Sequence, residues 1–162
     1  DWMNGNYIRQ TPLDELVELA MPYLPTDDRE LARKVIALEK ERLKKLSDIT
    51  EATEYFFVKQ PLYAPDILVW KKATKESVAP TLTALGKVIE QYQAEWETAA
   101  LENAIKAWIE KEGRGVGEVL WPLRVALSGR MASPPPFAIA EILGKSRTLA
   151  RLEYAIKLAQ KL

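Results

Sequence analysis

Thr11-Pro12-Leu13-Asp14-Glu15-Leu16-Val17-Glu18-Leu19-Ala20 holds the pattern on which the rest of the chain is built. A hydroxyl stands at the N-cap, proline follows at the first helical position where its missing N–H costs nothing, and Leu13, Leu16, Val17 and Ala20 recur at three-and-four spacing. That spacing predicts an amphipathic helix, which Pro22 and Pro25 end.

Working outward, Asp27 or Asp28 caps a longer helix that the spacing carries to about Leu46. Asp48-Ile49-Thr50-Glu51 offers a capping box for another through Tyr55-Phe56-Phe57, closed by Pro61. Residues 58–75, with Pro61, Pro65, Lys71, Lys72 and Lys75, read as a loosely ordered connection with one short helix over Asp66 to Ala73. Further helices are marked by Leu82, Leu85, Ile89 and Tyr92, by Leu101, Ile105, Trp108 and Ile109 up to Gly113, and by Val119, Leu120, Leu123 and Leu127 up to Ser128-Gly129. Beyond the proline-rich loop at 133–136, Ile139, Ile142 and Leu143 lead to Gly144, and Leu149, Leu152, Ile156 and Ala159 mark the last helix. No stretch alternates with period two. The expected fold is all-α, eight to ten helices in two subdomains, 1–64 and 65–162.

Among 162 residues there is no histidine and no cysteine. This excludes serine–histidine and cysteine–histidine hydrolysis, zinc chemistry and disulfide scaffolds. Hydrophobic content of 48% with 28% charged residues suits a folded domain with a real core. The 23 basic and 23 acidic groups balance, yet they are unevenly placed. Residues 124–162 hold seven basic groups against two acidic, residues 29–45 hold seven against three, and residues 76–123 hold four against eight. Two basic stretches flank an acidic middle, so neutrality overall does not argue against a polyanionic partner. No apolar run approaches the length of a membrane span, and the opening Asp1-Trp2-Met3 suggests a piece of a longer protein.

Three features stand out as candidate functional sites. On a helix extending to Leu46, Leu31, Val35, Leu38 and Leu46 fall within roughly 80° of one another, and Arg42 lands inside that stripe. Either its stem packs along the apolar face, or the guanidinium edges a groove that meets a partner's acceptors. The run from Pro122 to Phe137 joins a helix end, a glycine, hydroxyls, rigid prolines and an exposed-looking Phe137 to Arg124 and Arg130. Such a loop suits splayed single-stranded bases, or it merely connects two helices. Lys145, Arg147 and Arg151 open the last helix, where they meet phosphate or form a solvated face. The five tryptophans sit mostly among apolar neighbours and read as core. Asp27-Asp28 and Glu95/Glu97 read as a cap and a solvated pair, and Gly113-Arg114-Gly115-Val116-Gly117 follows a helix, not the strand that a dinucleotide fold requires.

Trp2-Met3-Asn4-Gly5-Asn6-Tyr7-Ile8-Arg9 with its following leucine-rich helix, then Pro122-Leu123-Arg124-Val125-Ala126-Leu127-Ser128-Gly129, Ser133-Pro134 and Leu143-Gly144-Lys145-Ser146-Arg147-Thr148-Leu149, resemble in order and spacing the anticodon-binding region of bacterial glutamyl-tRNA synthetases. The resemblance implies a two-subdomain helical cage on the anticodon stem-loop of glutamate tRNA. ATP- and magnesium-dependent glutamate activation would lie in an N-terminal catalytic domain outside this chain, which would hold no cofactor, metal or catalytic residue. It further implies that Arg42 reads the third anticodon base and favours glutamate over glutamine anticodons. Arg124, Ser133, Pro134, Pro136 and Phe137 would shape the first- and second-base pockets, and Lys40, Lys45, Arg130, Lys145, Arg147 and Arg151 would hold phosphates. Serine stands at 128 and 133 where the family frequently has threonine, keeping the hydroxyl and losing a methyl. The expected setting is a cytoplasmic, monomeric ligase off the membrane. The competing readings are a helical protein-interaction domain without RNA binding and a metal-free carboxylate enzyme.

Overall fold

The computed structural model describes residues 2–162, with side chains from residue 5 onward. Among these the chain forms nine α-helices and no strand: α1 (Trp2–Gln10), α2 (Leu13–Ala20), α3 (Arg29–Glu39), α4 (Ile49–Phe57), α5 (Lys75–Gln91), α6 (Thr98–Lys111), α7 (Val116–Ser128), α8 (Pro136–Leu143) and α9 (Lys145–Ala159). It is all-α as the periodicity predicts. The helices fall into two compact units, the first ending at Lys59 and the second running from Gln60 to Leu162.

In the first unit α2 packs on α3 and α3 on α4, burying Ile8, Leu16, Val17, Ala20, Ala32, Ile36, Leu43 and Ile49. Asp28 caps α3, its Oδ1 accepting from the N–H groups of Glu30 and Leu31 at 3.0 and 3.1 Å. Thr11 does not cap α2. Its Oγ1 donates back to the Tyr7 carbonyl at 2.6 Å, closing α1, a helix that Asn4-Gly5-Asn6 conceals because these residues are poor helix formers. Asp48 also makes no side-chain cap on α4; its carboxylate accepts from the Lys45 N–H at 3.1 Å.

The helix expected to reach Leu46 stops at Glu39. Lys40–Arg42 tightens into a 3-10 turn, and Leu43 is extended (φ −77°, ψ 134°), which carries its side chain into the core at 1% exposure. Lys40 Nζ donates to the Thr11 carbonyl at 2.8 Å and pins this turn to the start of α2. Burying Leu43 outweighs another helical turn, since a fully buried leucine is worth roughly 1.5–3 kcal/mol. Arg42 is therefore not part of a helical apolar stripe; it sits on the turn.

In the second unit α5 lies along α9, α7 packs against both, and α6 packs against α8. Residues 58–75 are more ordered than their composition suggests. Pro65–Leu68 forms a 3-10 turn in place of the expected helix to Ala73, with Leu68 fully buried against α7 and α9. Trp121 Nε1 donates to the Ile67 carbonyl at 2.9 Å and fastens that turn to α7. Helix α7 ends in Gly129 at φ +70°, in the left-handed region, where a Cβ would also stand 2.7 Å from Pro61 Cβ. The buried face of α9 is Thr148, Arg151, Leu152, Ala155 and Ala159, while Leu149 and Ile156 are only half-buried. The expected stripe is thus rotated, and the true one contains an arginine.

Candidate nucleic-acid interface

The Pro122–Phe137 region builds a cavity in the second unit. From α7 come Gly117, Leu120, Trp121 and Arg124; Pro135 and Pro136 close one wall and Trp70 another, around about 330 Å³, within the range of small-ligand sites of about 300–1,000 Å³. Trp121 and Arg124 are one helical turn apart, so they share a face. The Arg124 guanidinium carbon lies over the Trp121 ring, 5.4 Å from its centroid. That contact orients a planar, five-donor fork beside an aromatic face. Trp70 approaches α7 where there is no side chain: a Cβ on Gly117 would come within 2.4 Å of its ring. Lys72 Nζ sits over the same ring, 5.9 Å from its centroid.

The loop behind this wall is self-bonded. Ser128 Oγ donates to the Arg124 carbonyl at 2.8 Å and accepts from the Arg130 N–H at 3.1 Å. Ser133 Oγ donates to the Pro134 carbonyl at 2.9 Å. Ser133 and Pro134 are buried, and so is Phe137 at 3% exposure. Phe137 is therefore not the exposed platform its neighbours suggest. It enters the core of α8 and leaves Pro135 exposed and Pro136 against the cavity.

The aromatic surface lies instead on tryptophans read as core. Trp70, Trp96, Trp108 and Trp121 are all only half-buried; Trp2 lies outside the residues whose side chains are described. Trp96 Nε1 donates to the Ala140 carbonyl at 2.8 Å, and Trp108 lies under the Arg114 guanidinium at 5.2 Å. Among the tryptophans whose side chains are described, only Trp70 and Trp121 border the cavity. Their neighbours Lys71, Lys72 and Arg124 are the sequence signal that could have singled them out.

The phosphate candidates divide. Lys45 and Arg147 are exposed and Arg130 is half-buried. Partial burial lowers the Arg147 pKa from its ordinary value, without threatening the charge of a guanidinium. Lys40 is held by Thr11. Lys145 caps the end of α5, its Nζ donating to the carbonyls of Glu90 and Tyr92 at 3.0 and 2.7 Å. Arg151 is 0% exposed and donates from Nη1 to the Leu127 carbonyl, so it cannot reach a phosphate outside the fold.

In the first unit Arg42 has a side chain 43% exposed, with Nε 3.8 Å from Glu39 Oε2. The 29–45 basic run is less free than its count suggests. Arg33 pairs with Asp14, and Arg29 Nε donates to Glu18 Oε1 at 2.7 Å, holding the Glu18 carboxyl below its ordinary pKa through that hydrogen bond and the guanidinium charge. Among the described residues no group of three or more His, Cys, Asp or Glu could hold a metal, and no helix is long and apolar enough to cross a membrane.

An all-helical scaffold that presents an arginine on an indole face, beside a proline-walled cavity, has the chemistry to receive a planar hydrogen-bonding group. The chain belongs to the anticodon-binding domain family, whose model matches residues 15–156. It is 36% identical over 98% of its length to a glutamate–tRNA ligase of Anaeromyxobacter sp. (strain K), and 38% identical over 96% to one of Clostridium tetani. It spans 34% and 33% of those two proteins. A solved glutamate-tRNA synthetase from Elizabethkingia anophelis matches with TM-score 0.75 and 27% identity over 96% of this chain and 30% of that one. A glutamate tRNA ligase structure from Elizabethkingia meningosepticum, at 24% identity, 96% of this chain and 31% of that one, shares the fold with TM-score 0.79.

Proposed function

We propose that this chain is the anticodon-reading part of a glutamate–tRNA ligase and that it binds the anticodon loop of glutamate tRNA. The observation that carries the reading is Arg124, oriented over Trp121 at the mouth of a cavity walled by Trp70, Pro135 and Pro136. An unstacked base would enter that cavity, stack on an indole and receive guanidinium hydrogen bonds on its edge. Ser133, Pro134 and Phe137 act from behind by fixing the proline wall, and Arg42 reads the third base from the first unit. Lys45, Lys72, Arg130 and Arg147 supply cations for the backbone.

ATP-dependent glutamate activation belongs, in this reading, to the catalytic part of the longer proteins that the chain matches over a third of their length. The parent would be a monomeric cytoplasmic enzyme. Titrating the chain with anticodon stem-loops carrying glutamate, glutamine and aspartate anticodons tests the proposal. Tightest binding of the glutamate stem-loop is expected, and equal binding of all three would overturn it.

A further inference from the structure

Glu39 is a buried carboxylate on the core face of the first unit. It is the last residue of α3, in register with Ala32, Val35 and Ile36 on the buried face, and its side chain is 4% exposed. An apolar residue there would extend that face. Burying a carboxylate is costly unless it is hydrogen-bonded and paired, and Glu39 is both. Oε1 accepts from Tyr55 Oη at 2.6 Å, from the buried face of α4, and Oε2 faces Arg42 Nε at 3.8 Å. The arrangement is a line: a buried phenol, a buried carboxylate and a half-exposed guanidinium.

The direction of that line matters. Arg42 stands on a 3-10 turn, where an arginine has many rotamers, and a base-reading guanidinium pays for every rotamer lost on binding. The Glu39 carboxylate faces the inner nitrogen, Nε, at ion-pair distance, and the Nη1 and Nη2 edge lies farther from it, toward a partner's acceptors. Tyr55 holds the carboxylate in turn, because a phenol bonded to one oxygen fixes the plane in which the other is presented. We infer that Glu39, oriented by Tyr55, is a positioning residue that sets third-base specificity by holding Arg42 in its reading orientation. This rests on the assignment of Arg42 to the third anticodon base.

The test measures the ratio of affinities for stem-loops with the glutamate and glutamine anticodons, which differ at the third base. Wild type, Arg42→Ala, Glu39→Gln, Tyr55→Phe and the double variant Glu39→Gln/Arg42→Ala are compared. Glu39→Gln keeps the shape and the Tyr55 hydrogen bond but removes the charge facing Arg42. It should cut the ratio by at least about fivefold, within the range of base-reading contacts, while leaving affinity for the glutamine stem-loop unchanged. In the Arg42→Ala background the same change should do nothing further to the ratio, a coupling that a merely structural role would not produce. Tyr55→Phe should lower the ratio in the same direction, and it decides the matter if Glu39→Gln does not fold. A ratio unchanged within twofold in Glu39→Gln or, failing that variant, in Tyr55→Phe, while Arg42→Ala abolishes it, would overturn this inference alone. A wild-type chain that does not separate the two stem-loops overturns the third-base assignment, and this inference with it.

Discussion

Arg151, on α9, donates from Nη1 to the backbone carbonyl of Leu127 on α7, and among the described residues it is the largest side chain that is fully buried. The contact ties the last turn of α7, just before the cavity loop, to the last helix. A helix C-terminus presents unsatisfied carbonyls and a partial negative charge, and a buried guanidinium answers both. Arg151→Met keeps much of the volume but strands that carbonyl, and it should cost about 2–4 kcal/mol. Denaturant unfolding followed by circular dichroism checks this; a loss below about 0.5 kcal/mol would show that the contact is dispensable.

Two glycines should be intolerant for different reasons. Gly117→Ala drives a methyl into the Trp70 ring, which a Cβ there would approach to 2.4 Å, so Trp70 must shift. About 1–3 kcal/mol of stability should be lost, with quenching of tryptophan fluorescence altered. Gly129→Ala meets both a left-handed backbone at φ +70° and Pro61 Cβ at 2.7 Å, and should cost at least about 1 kcal/mol. Melting temperatures of the two variants against wild type measure both effects.

Much of this architecture is legible from caps and periods, and the failures have physical causes. Gly129 and Gly144 end α7 and α8 as written, and Asp28 caps α3. For α9 the wheel is ambiguous, because Leu149 and Ile156 compete with Leu152 and Ala155 for the inner face. The choice is made by α5, packed alongside, which sequence periodicity cannot represent. That choice turns Arg151 inward and removes it from the surface. The end of α3 is hidden for a similar reason, since only the position of the core decides whether Leu43 or a continued helix is worth more. Arg124 and the proline wall were visible as a motif. Trp70 was not, because its place beside Arg124 depends on a turn that Trp121 fastens in space across a separation of 54 residues.

Tyr63 gives the fold an alkaline limit. Its hydroxyl is buried without a hydrogen-bond partner, and its ring meets Tyr154 edge-on at 5.9 Å. Burial, chiefly, and then Tyr154 raise its pKa well above the ordinary value of 10, while Arg151 opposes them. A raised folded pKa means that this contribution is intact below about pH 10 and is lost as pH rises toward the folded value. Unfolding free energy should therefore decline above pH 10, and Tyr63→Phe should flatten that decline relative to wild type. At pH 7 the same substitution should be neutral or slightly stabilising, because it removes an unsatisfied buried group. A steeper alkaline decline in Tyr63→Phe would contradict this account.

Salt dependence should separate cations available to RNA from those used by the fold. Each phosphate contact contributes roughly 0.7–0.9 to the slope of log affinity against log salt. Lys72→Ala and Lys45→Ala should each lower the slope by about that amount. Lys145→Ala should leave it unchanged and instead cost about 1 kcal/mol of stability, because its ammonium is spent on the carbonyls of Glu90 and Tyr92. Stem-loop titrations at three or more salt concentrations make the comparison, and an Lys145→Ala slope reduced like that of Lys72→Ala would show that this cap opens on binding.

Arg124→Lys is the substitution that isolates geometry from charge. Lysine keeps the positive charge but has neither the planar fork nor the guanidinium stacking that places Arg124 over Trp121 at 5.4 Å. If Arg124 reads a base edge, affinity for the glutamate stem-loop should fall by about 1–3 kcal/mol with the salt slope unchanged. If it held only a phosphate, Arg124→Lys would retain affinity and Arg124→Ala would lower the slope instead. The two outcomes are exclusive because stacking leaves Trp121 to fix the orientation of the guanidinium, and that orientation, unlike a point charge, cannot be supplied by an ammonium on a flexible stem.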